Sequence, residues 1–542
     1  MRKLLPLVLA AGLGAADESW VRLQAGPFEV FCGAGARPAR QLLLVLEQLR
    51  FSLGQMLGKT ELSTVWPIRF LVFPNAGALV REGLQAGRCK LGRVAWMCPL
   101  SPGDRLPLDT VAALLVRDNT RNLPQEVERG LVNLFSSFRV EGPYGVFPPP
   151  SSERLDRDWA RVHLFCTHPD YATRARAWLS NLEARADWDA AYWNAFQLRR
   201  EQAERLVDEY LAGRQFAPRR LAVRLIDPER DFFARPLEPV ERAIAIADAL
   251  EGERAAERYR AVLDQFGPVA AALEGLGQFA EAVARGSDSA SCYVHYGRQQ
   301  EGERARQAFQ KAAELNPRWA TPYVELARLE SNPARKARLL ERAAELDPRA
   351  VEIWVELARA RFNAGQYDRA AIAWEEAERR ASDPIERSRI RQQRAQLEQQ
   401  REQKLAQERR WEEEAILEAW EQERKRMLAA LLAPETAQAS GDVPQRVYQW
   451  WDERHPMREA TGKLVQIDCM RAGLRLVVET PSRTQVRVMI REPDRVIVRG
   501  KREGLQLSCG ALSAPPAVRL EYVEQPDAVA GSVGEVSVLE FR

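Results

Sequence analysis

Residues 352–384 read EIWVELARARFNAGQYDRAAIAWEEAERRASDP. Apolar residues recur at helical spacing on both sides of Gly365, which predicts two short helices joined by a turn. Two such helices pack closely only if small residues lie where they cross and large residues fill the gaps beside the crossing. The segment supplies both kinds: the small residues Ala358, Ala370 and Ala377, and the large residues Trp354, Leu357 and Trp374.

This pattern resembles a tetratricopeptide repeat (TPR) unit. Trp354 aligns with the aromatic residue that opens such a unit, and the later signature positions also match. The matching residues are Leu357, Ala358, Gly365, Tyr367, Ala370, Trp374 and Ala377. A copy three residues shorter precedes it, and we assign the loss to the turn around Asn332 and Pro333. Its matching residues are Tyr323, Leu326, Ala327, Leu340, Ala343 and Pro348.

One helix pair cannot bury its apolar face alone, so a TPR-like unit predicts neighbours. Ala305, Phe309 and Ala312 fit the second helix of a further unit, and divergent helix pairs begin near Val240. We therefore expect an α-helical TPR solenoid over residues 240–384. Its right-handed stack would present a concave face lined by the first helix of each unit.

TPR geometry assigns six residues of the two clearest units to this concave face. They are Val324, Arg328, Val355, Arg359, Phe362 and Asn363. Arginine mixed with apolar residues would suit an acidic or extended peptide. The array lacks the paired lysine and asparagine with which TPR proteins clamp a C-terminal carboxylate. The alternative is a solvated face that holds no ligand and serves as a spacer.

Residues 1–16 have the features of a secretory signal peptide. They combine a basic start, an apolar run from Leu4 to about Leu13, and small residues before a cleavage site near Ala16. The run is too short for a permanent membrane anchor, and no cysteine follows it that could carry lipid. We therefore expect an exported protein, periplasmic or extracellular, without a membrane span. An ordinary buried N-terminal helix is the alternative.

Seven cysteines in an exported protein make disulfides possible. Cys469 and Cys509 each end an apolar strand-like run, and we predict a disulfide between them. Cys89 and Cys98 flank a hairpin-sized segment and form a second candidate pair. The remaining cysteines are expected to be buried thiols, namely Cys32, Cys166 and Cys292.

Residues 17–145 mix strand-like and helical spacings, which predicts an α+β domain with a small sheet. A helical subdomain and an irregular connector are expected over residues 146–239. The β-α-β start, the segment LPQEVERGLVNLFSSF (residues 123–138) and the helical segments that follow resemble the exported, TPR-linked peptidase-like proteins of the gluzincin type. The resemblance extends over roughly residues 20–380.

The resemblance implies a zinc-binding HExxH helix followed by a segment of the form LPxWxxEGLAE, but this chain departs from both motifs. No histidine precedes His163, so the helix expected over residues 108–118 has neither metal ligand. Arg129 and Gly130 stand where the Glu-Gly pair should be, and Asn133 replaces the later glutamate. A catalytic zinc needs three protein ligands and an open fourth position. We therefore expect a degenerate domain without catalytic residues.

Two further groups of residues bear on metal binding or catalysis. Glu126 and Glu128 lie near a helix start, where a negative charge interacts favourably with the helix dipole. His163, Cys166 and His168 have side chains that could hold zinc. Because no second ligand pair stands nearby, we interpret them as a packed histidine, a buried thiol and a loop histidine. We expect no metal and no cofactor.

The C-terminal third is predicted in three parts. Residues 385–433 lack glycine and proline and are rich in Arg, Glu and Gln, which predicts a charged helix of about 70 Å. Its apolar residues are unevenly spaced, so a strict heptad seam is not supported, and a coiled-coil homodimer is the alternative. Residues 434–447 form a flexible linker. Residues 448–542 contain seven short strand-like runs, which predict a small all-β sandwich or barrel that serves for binding or docking.

The composition is that of a multidomain globular chain of 542 residues, 46% apolar and 29% charged. The net charge is +3, from 79 basic and 76 acidic residues, so no charge excess favours nucleic acid or an anionic membrane. We predict an exported, non-catalytic scaffold that binds a protein or peptide partner through the TPR concave face. The alternatives are an active exported zinc metallopeptidase with unconventional ligands and a structural envelope assembly factor.

Overall fold

The structure of the protein is a computed structural model. It describes residues 20–214, 216–432, 456–500, 505 and 507–542. The predicted signal peptide, the predicted linker and the start of the predicted β module lie outside the described residues. The chain divides into two compact units, Met1–Gln392 and Gln393–Arg542. Among the helices that the structure describes, none is both long and apolar enough to cross a membrane.

The first part of unit 1 combines strands and helices. In chain order its elements are β1 (Val21–Ala25), β2 (Phe28–Cys32), α1 (Ala36–Leu57), β3 (Ile68–Val72), α2 (Ala76–Arg81), β4 (Lys90–Leu91), β5 (Trp96–Leu100), α3 (Leu108–Asn119), α4 (Gln125–Phe135), β6 (Arg139–Glu141), β7 (Tyr144–Phe147), α5 (Arg157–Thr167), α6 (Pro169–Ala172), α7 (Ala175–Glu183), α8 (Trp188–Phe196), α9 (Arg200–Gly213), β8 (Arg219–Ala222), α10 (Pro228–Asp231) and β9 (Arg235–Pro236). We call this part the N-terminal domain.

The remainder of unit 1 is helical, and we call its paired helices the array. They are α11 (Pro239–Ala249), α12 (Gly252–Phe266), α13 (Ala270–Gly275), α14 (Phe279–Ala284), α15 (Ala290–Arg298), α16 (Gly302–Leu315), α17 (Thr321–Leu329), α18 (Pro333–Leu346), α19 (Val351–Asn363) and α20 (Tyr367–Arg380). Each helix packs against the next along the chain, as a TPR-like stack requires. The turn between α19 and α20 needs a left-handed residue, and Gly365 supplies it with φ +74°.

The main sheet has the order β4-β5-β3-β2-β1-β9, and its neighbours β2, β3 and β5 run parallel. Side chains of a strand alternate between the two faces of a sheet. Phe28 and Val30 therefore lie on the face that packs in the core with α1, α3 and α4. Phe31 lies on the opposite face with Ala245 and Ile246 of α11. The first array helix is thus part of the core of the N-terminal domain.

The connector predicted as irregular contains two strands, which corrects that interpretation. β8 pairs with β7 in a three-stranded sheet, and β9 pairs with β1 at the edge of the main sheet. The runs are short and contain Pro236, so their periodicity was too weak to indicate strands. Backbone pairing with distant strands decides their conformation.

The shorter TPR-like unit loses its residues from a helix and not from the turn, which is a second correction. When Tyr323 is aligned with Trp354, the last residue of α17, Leu329, aligns with Ala360. Helix α19 continues three residues further, to Asn363. The turns after the two helices, residues 330–332 and 364–366, have the same length. The first helix of the shorter unit therefore lacks its last turn.

Unit 2 contains most of a long helix and a β module. The elements are α21 (Pro384–Leu432), which begins in unit 1, β10 (Met457–Met470), β11 (Gly473–Glu479), β12 (Gln485–Ile490), β13 (Ile497–Gly500), β14 (Gly510–Ala511), β15 (Ala517–Asp527) and β16 (Ser532–Phe541). Much of α21 is exposed, including Trp411 at 61% and Ile416 at 60%. Its C-terminal residues Met427 and Leu431 are buried in the core of the β module.

The β module is a closed barrel. The first half of the long strand β10 pairs with β15, and its second half pairs with β11. The order β10-β11-β12-β16-β15 therefore returns to β10, and β12 runs parallel to β16. The predicted run at residues 504–509 is not a strand in its described residues, and the short strand β14 follows it. Leu464, Leu476 and Leu539 belong to the fully buried core.

Both candidate disulfides are present, Cys469–Cys509 and Cys89–Cys98. The second bond joins the residue before β4 to β5, across the hairpin that its flanking positions indicated. The other three cysteines are buried thiols, as predicted: Cys32, Cys166 and Cys292. Burial raises the pKa of the Cys166 thiol to about 12, so it carries no charge at neutral pH.

Candidate functional site: the groove of the array

The six predicted groove residues lie on the neighbouring helices α17 and α19. Arg328, Arg359 and Asn363 are exposed, while Val324, Val355 and Phe362 are half-buried. The three exposed residues line one cleft with a volume of about 410 Å³, which we call the array cleft. The cleft is also lined by Glu330, Ser331, Pro333, Lys336, Glu356 and Ala360.

The array cleft follows from the missing turn of α17. Asn363 belongs to the last three residues of α19, which have no counterpart in α17 to pack against, and Ala360 lies directly before them. The turn at residues 330–332 and the start of α18 form the other wall. A packed interior leaves few voids larger than a water molecule, so a lost turn without a replacement side chain opens a cleft. The three-residue deletion visible in the sequence therefore marks this site.

Charged residues form a row along the groove. The sequence analysis identified Arg328 and Arg359 but not the glutamates beside them. Arg298 of α15 donates from Nε to Glu325 at 2.8 Å. Arg328 contacts the same Glu325 at 3.2 Å and lies 3.7 Å from Glu356 of the next unit. The arginines of the groove are thus partly neutralised by glutamates of the groove itself. Those glutamates sit three residues before an arginine in the repeated pentapeptide VELAR, residues 324–328 and 355–359, which could have revealed them.

The TPR signature residues form the interior of the helix pairs. Leu357, Ala358, Ala370, Trp374 and Ala377 are each no more than 2% exposed, and Ala327 is fully buried. Leu326 is buried as well, whereas Tyr323 and Trp354 are half-buried and Gly365 and Tyr367 are exposed at the turn. Tyr367 packs edge-to-face on Phe362, with ring centroids 5.2 Å apart. The signature residues therefore fix the packing within each helix pair. The groove side chains lie outside this packed interior.

The array contacts the N-terminal domain along a separate set of residues, which we call the docked surface. It comprises Asp248, Glu274, Asn316, Trp319, Arg349, Glu376 and Arg380. The middle of this surface lies in the loop between α16 and α17. There Asn316 donates from Nδ2 to the carbonyl oxygen of Val65 at 2.9 Å, and Trp319 packs edge-to-face on Trp66 with centroids 5.0 Å apart.

The C-terminal part of the docked surface is ionic. Arg349, in the loop before α19, donates to Glu128 of α4 at 2.8 Å and to the hydroxyl of Thr120 at 2.9 Å. Glu376 of α20 accepts hydrogen bonds from Arg185, Arg379 and Arg380. Burial raises the pKa of Glu376, but the hydrogen bonds from Arg185 and Arg380 outweigh it and lower the pKa to about 2.

The N-terminal part of the docked surface is a buried ion cluster. Arg93, in the loop before β5, donates from Nη1 to Glu274 at 2.5 Å and lies 3.4 Å from Asp248. The hydroxyl of Tyr259 donates to Asp248 at 2.5 Å, and the hydroxyl of Ser289 donates to Glu274 at 2.7 Å. Burial raises the pKa of Glu274, although Arg93 and Ser289 act in the opposite direction. The cluster ties three array helices to the sheet.

The turns within the array units lie away from these contacts. We call residues 330–332 and 364–366, together with the array cleft between them, the open edge. Residues of the docked surface between α16 and α20 lie instead in the loops between units and at the end of α20. The two sets are at opposite ends of the array helices, because each helix runs between a turn within its unit and a loop between units. The N-terminal domain therefore leaves the open edge accessible.

A second cleft, of about 280 Å³, lies between α3 and α4, where the gluzincin resemblance would put a zinc site. The side chains there do not fit a zinc ion. On the α3 side the cleft presents Ala113, Val116 and Arg117, none of which is a metal ligand. The one carboxylate in its lining, that of Glu128, already pairs with Arg349 of the array.

The residues that depart from the gluzincin motif have structural partners. Arg129 forms an ion pair with Asp158 at 2.9 Å, and Asn133 donates to Asp156 at 3.2 Å. Gly130 lies where α4 crosses α5, since a side-chain Cβ there would be 2.3 Å from the carbonyl oxygen of Asp158. Glu126 is exposed in the first turn of α4. Arg129 and Asn133 therefore hold α4 against the start of α5.

The residues His163, Cys166 and His168 do not form a joint site. His163 is fully buried, shares a 2.7 Å hydrogen bond with the Tyr210 hydroxyl and stacks on Trp159. Burial lowers the pKa of His163 to about 4, so the ring is neutral at pH 7. His168 caps the start of α6, where its Nδ1 accepts the backbone N–H of Asp170 at 3.3 Å. Within the described residues, no group of three or more His, Cys, Asp or Glu side chains is arranged to hold a metal ion.

No protein-family model matches the chain, and no curated protein is significantly similar to it. Several solved structures resemble about a quarter of it. A MamA protein is 19% identical, covers 24% of this chain and 81% of its own, with a TM-score of 0.21. YrrB, a TPR protein with an unusual peptide-binding site, is 16% identical and covers 28% of this chain and 91% of its own, with a TM-score of 0.24.

A third similar structure is TTC0263, a thermophilic TPR protein of Thermus thermophilus. It is 21% identical and covers 26% of this chain and 89% of its own, with a TM-score of 0.20. TM-scores at this level add nothing to the argument. The TPR-like character of the array therefore rests on its own helix pairs and signature residues.

Proposed function

We propose that the protein is an exported, non-catalytic scaffold that binds an extended segment of a partner protein in the groove of its array. The observation that carries this proposal is the open edge: the array is fixed to the N-terminal domain through the docked surface, and the groove side chains stay accessible. Arg328 and Arg359 are exposed next to half-buried apolar residues on the same helices. A groove with an apolar floor and a few polar groups suits an extended peptide.

Export is supported by the two disulfides, because such bonds persist in oxidising compartments. The N-terminal domain acts as a support for the array in this proposal. Its α3–α4 cleft lacks a set of zinc ligands, and Glu128, Arg129 and Asn133 of α4 are engaged with Arg349 and with α5. A catalytic role would need at least one of these side chains to be available for a substrate or a metal.

The proposal is tested by selecting peptides on the immobilised mature protein, residues 17–542, from a displayed random library. Val355→Glu places a charge on the apolar part of the groove and should abolish recovery of the selected peptides. Ile372→Glu is the matched control, since Ile372 is 56% exposed on α20 and outside the predicted groove. If both variants recover the same peptides as the wild type, binding does not use the groove and the proposal fails.

The competing zinc peptidase is tested by the metal content of the same protein, purified without chelator. Elemental mass spectrometry should find much less than one zinc per chain. About one zinc per chain, lost in His163→Ala, would revive the metallopeptidase and require assays of peptide hydrolysis. His163 is the informative position because it is the fully buried histidine among the three candidate ligands.

A further inference from the structure

The disulfide between Cys89 and Cys98 holds a short hairpin at the edge of the main sheet. In this hairpin β4 pairs with β5 through two residues, Lys90 and Leu91. A two-stranded pairing of this length is marginal in water. Cys98 lies in β5 and is fully buried, so the bond ties the start of the hairpin to the interior of the sheet. The position of the hairpin therefore depends on the bond.

The tip of the hairpin contacts the end of α11. Lys90 donates from Nζ to the carbonyl oxygen of Leu250, directly after that helix. A Cβ at Gly92 would lie 2.9 Å from the carbonyl oxygen of Asp248, so the two backbones approach closely there. Arg93 follows, and its side chain, 11% exposed, is the cation of the buried ion cluster. The disulfide-bonded hairpin thus carries the residue that joins the sheet to the first array helices.

The two array helices that Arg93 reaches are held to the sheet in different ways. Among the described residues, the apolar core on this face of the sheet includes Ala245, Ile246 and Ala249 of α11 and no residue of α13. Helix α13 contributes Glu274, which accepts a hydrogen bond from Arg93 at 2.5 Å. A hydrogen bond weakens steeply outside its preferred geometry. Docking of α13 therefore depends on where the hairpin holds Arg93.

We propose that the Cys89–Cys98 bond is a redox-sensitive clamp. It positions Arg93 in the ion cluster, so the first units of the array dock completely only after the two cysteines are oxidised. Thiols stay reduced in the cytosol and form disulfides in oxidising compartments. Docking is thus completed after export, and this consequence rests on the export part of the proposed function.

The oxidation requires a disulfide donor of the thiol–disulfide oxidant class. Cys89 is half-buried, whereas Cys98 is fully buried, so Cys89 is the accessible thiol. Its thiolate attacks one sulfur of the donor, and the other donor sulfur leaves as a thiolate. The Cys98 thiolate then attacks the Cys89 sulfur and displaces the first donor sulfur. The two cysteines lose two protons and two electrons, and the donor becomes a dithiol.

Hydrogen exchange of the mature protein, followed by mass spectrometry, tests the clamp. The variant Cys469→Ala/Cys509→Ala removes the other disulfide, so dithiothreitol then changes the Cys89–Cys98 bond and leaves the sequence around it intact. Reduction should speed exchange in α13 by about tenfold or more, because Glu274 loses a fixed partner. Helix α18, further along the array, is the internal control and should exchange equally in both states.

Arg93→Met in the same background separates a positioning role from a general structural one. If the bond acts through Arg93, this variant already exchanges fast in α13 when oxidised, and reduction adds little. Arg88→Met is the matched control, since Arg88 directly precedes Cys89 but its side chain is 67% exposed. In that variant reduction should still speed exchange in α13.

The outcomes separate the clamp from the proposed function. Unchanged exchange of α13 on reduction would overturn the clamp, and so would an increase of the same size in Arg93→Met. Both results leave the peptide-binding groove intact, because that proposal is judged by peptide recovery and Val355→Glu. A chain that keeps residues 1–16 and free thiols in the cell, yet shows the clamp when purified and oxidised, would contradict export alone.

Discussion

The docked surface and the open edge of the array both combine arginine with glutamate or aspartate, yet their charges differ in burial. On the docked surface the side chains of Asp248 and Glu274 are 0% and 2% exposed. On the open edge the side chain of Arg328 is 54% exposed. A buried charge that loses its partner is costly, whereas an exposed pair contributes little. The docked surface is therefore suited to stability, and the open edge can exchange its contacts for those of a ligand.

The largest effect is expected from Arg93→Met, which leaves two buried carboxylates without their cation. Removal of one partner of a buried ion cluster destabilises a protein by about 3–5 kcal/mol. The midpoint of urea-induced unfolding of the mature protein, followed by circular dichroism, should fall accordingly. Arg338→Met is the control on an exposed helix surface. A loss below about 1 kcal/mol would show that the cluster does not tie the array to the sheet.

The next effect is expected from Glu376→Gln and depends on pH. The carboxylate has a folded-state pKa of about 2 against an ordinary value of 4.5, so its contribution is complete above pH 4.5 and disappears as the pH falls towards 2. A lowering of this size corresponds to roughly 3 kcal/mol at pH 7. Unfolding of wild type and variant, compared at pH 7 and at pH 3.5, should give a clearly smaller difference at the lower pH. A difference independent of pH would mean that the three arginines do not stabilise the charged form.

A smaller effect is expected at the aromatic contact in the middle of the docked surface. Trp66→Ala removes the edge-to-face pair with Trp319, and such pairs contribute about 0.5–1.5 kcal/mol beyond burial. A double-mutant cycle of Trp66→Ala and Trp319→Ala, measured by urea unfolding, isolates this term. Additive effects of the two substitutions would show that the rings do not stabilise the docking of the array.

The smallest effect is expected on the open edge. Arg328→Ala removes the contacts of an exposed arginine with Glu325 and Glu356, and the buried Glu325 keeps its hydrogen bond from Arg298. The unfolding free energy should therefore change by no more than about 1 kcal/mol. The same urea titration measures it. A loss comparable to that of Arg93→Met would remove the distinction between the two surfaces, because the groove charges would then serve mainly to hold the array together.

Local patterns predicted the helix pairs of the array well. The spacing of the large residues Trp354, Leu357 and Trp374 is typical of packed helices. All three are buried or half-buried in the structure. The disulfide between Cys469 and Cys509 was also predictable, since both cysteines end strand-like runs of sequence within one small β module. Such features depend on residues close in sequence or on few possible pairings.

Long-range packing was not predictable in the same way. Arg93 and Glu274 are 181 residues apart, and no local pattern marks either as a member of a buried cluster. Likewise, α11 looked like an ordinary array helix, although it covers one face of the sheet. In the groove, the deletion near Asn332 was visible in the sequence, but only the helix bounds showed that it removes a turn of α17 and places Lys336 in a cleft.

The central claim is that the open edge, and not the array surface outside it, receives a peptide. The most direct measurement is photo-cross-linking in the mature protein, incubated with a library of random decapeptides that have free C-termini. The photoreactive residue p-benzoylphenylalanine replaces Asn363 in one variant and Arg338, which is exposed on α18, in another. We expect mass spectrometry to find peptide adducts at position 363 and far fewer at position 338. Adducts at both positions in equal amount, or at neither, would contradict the claim.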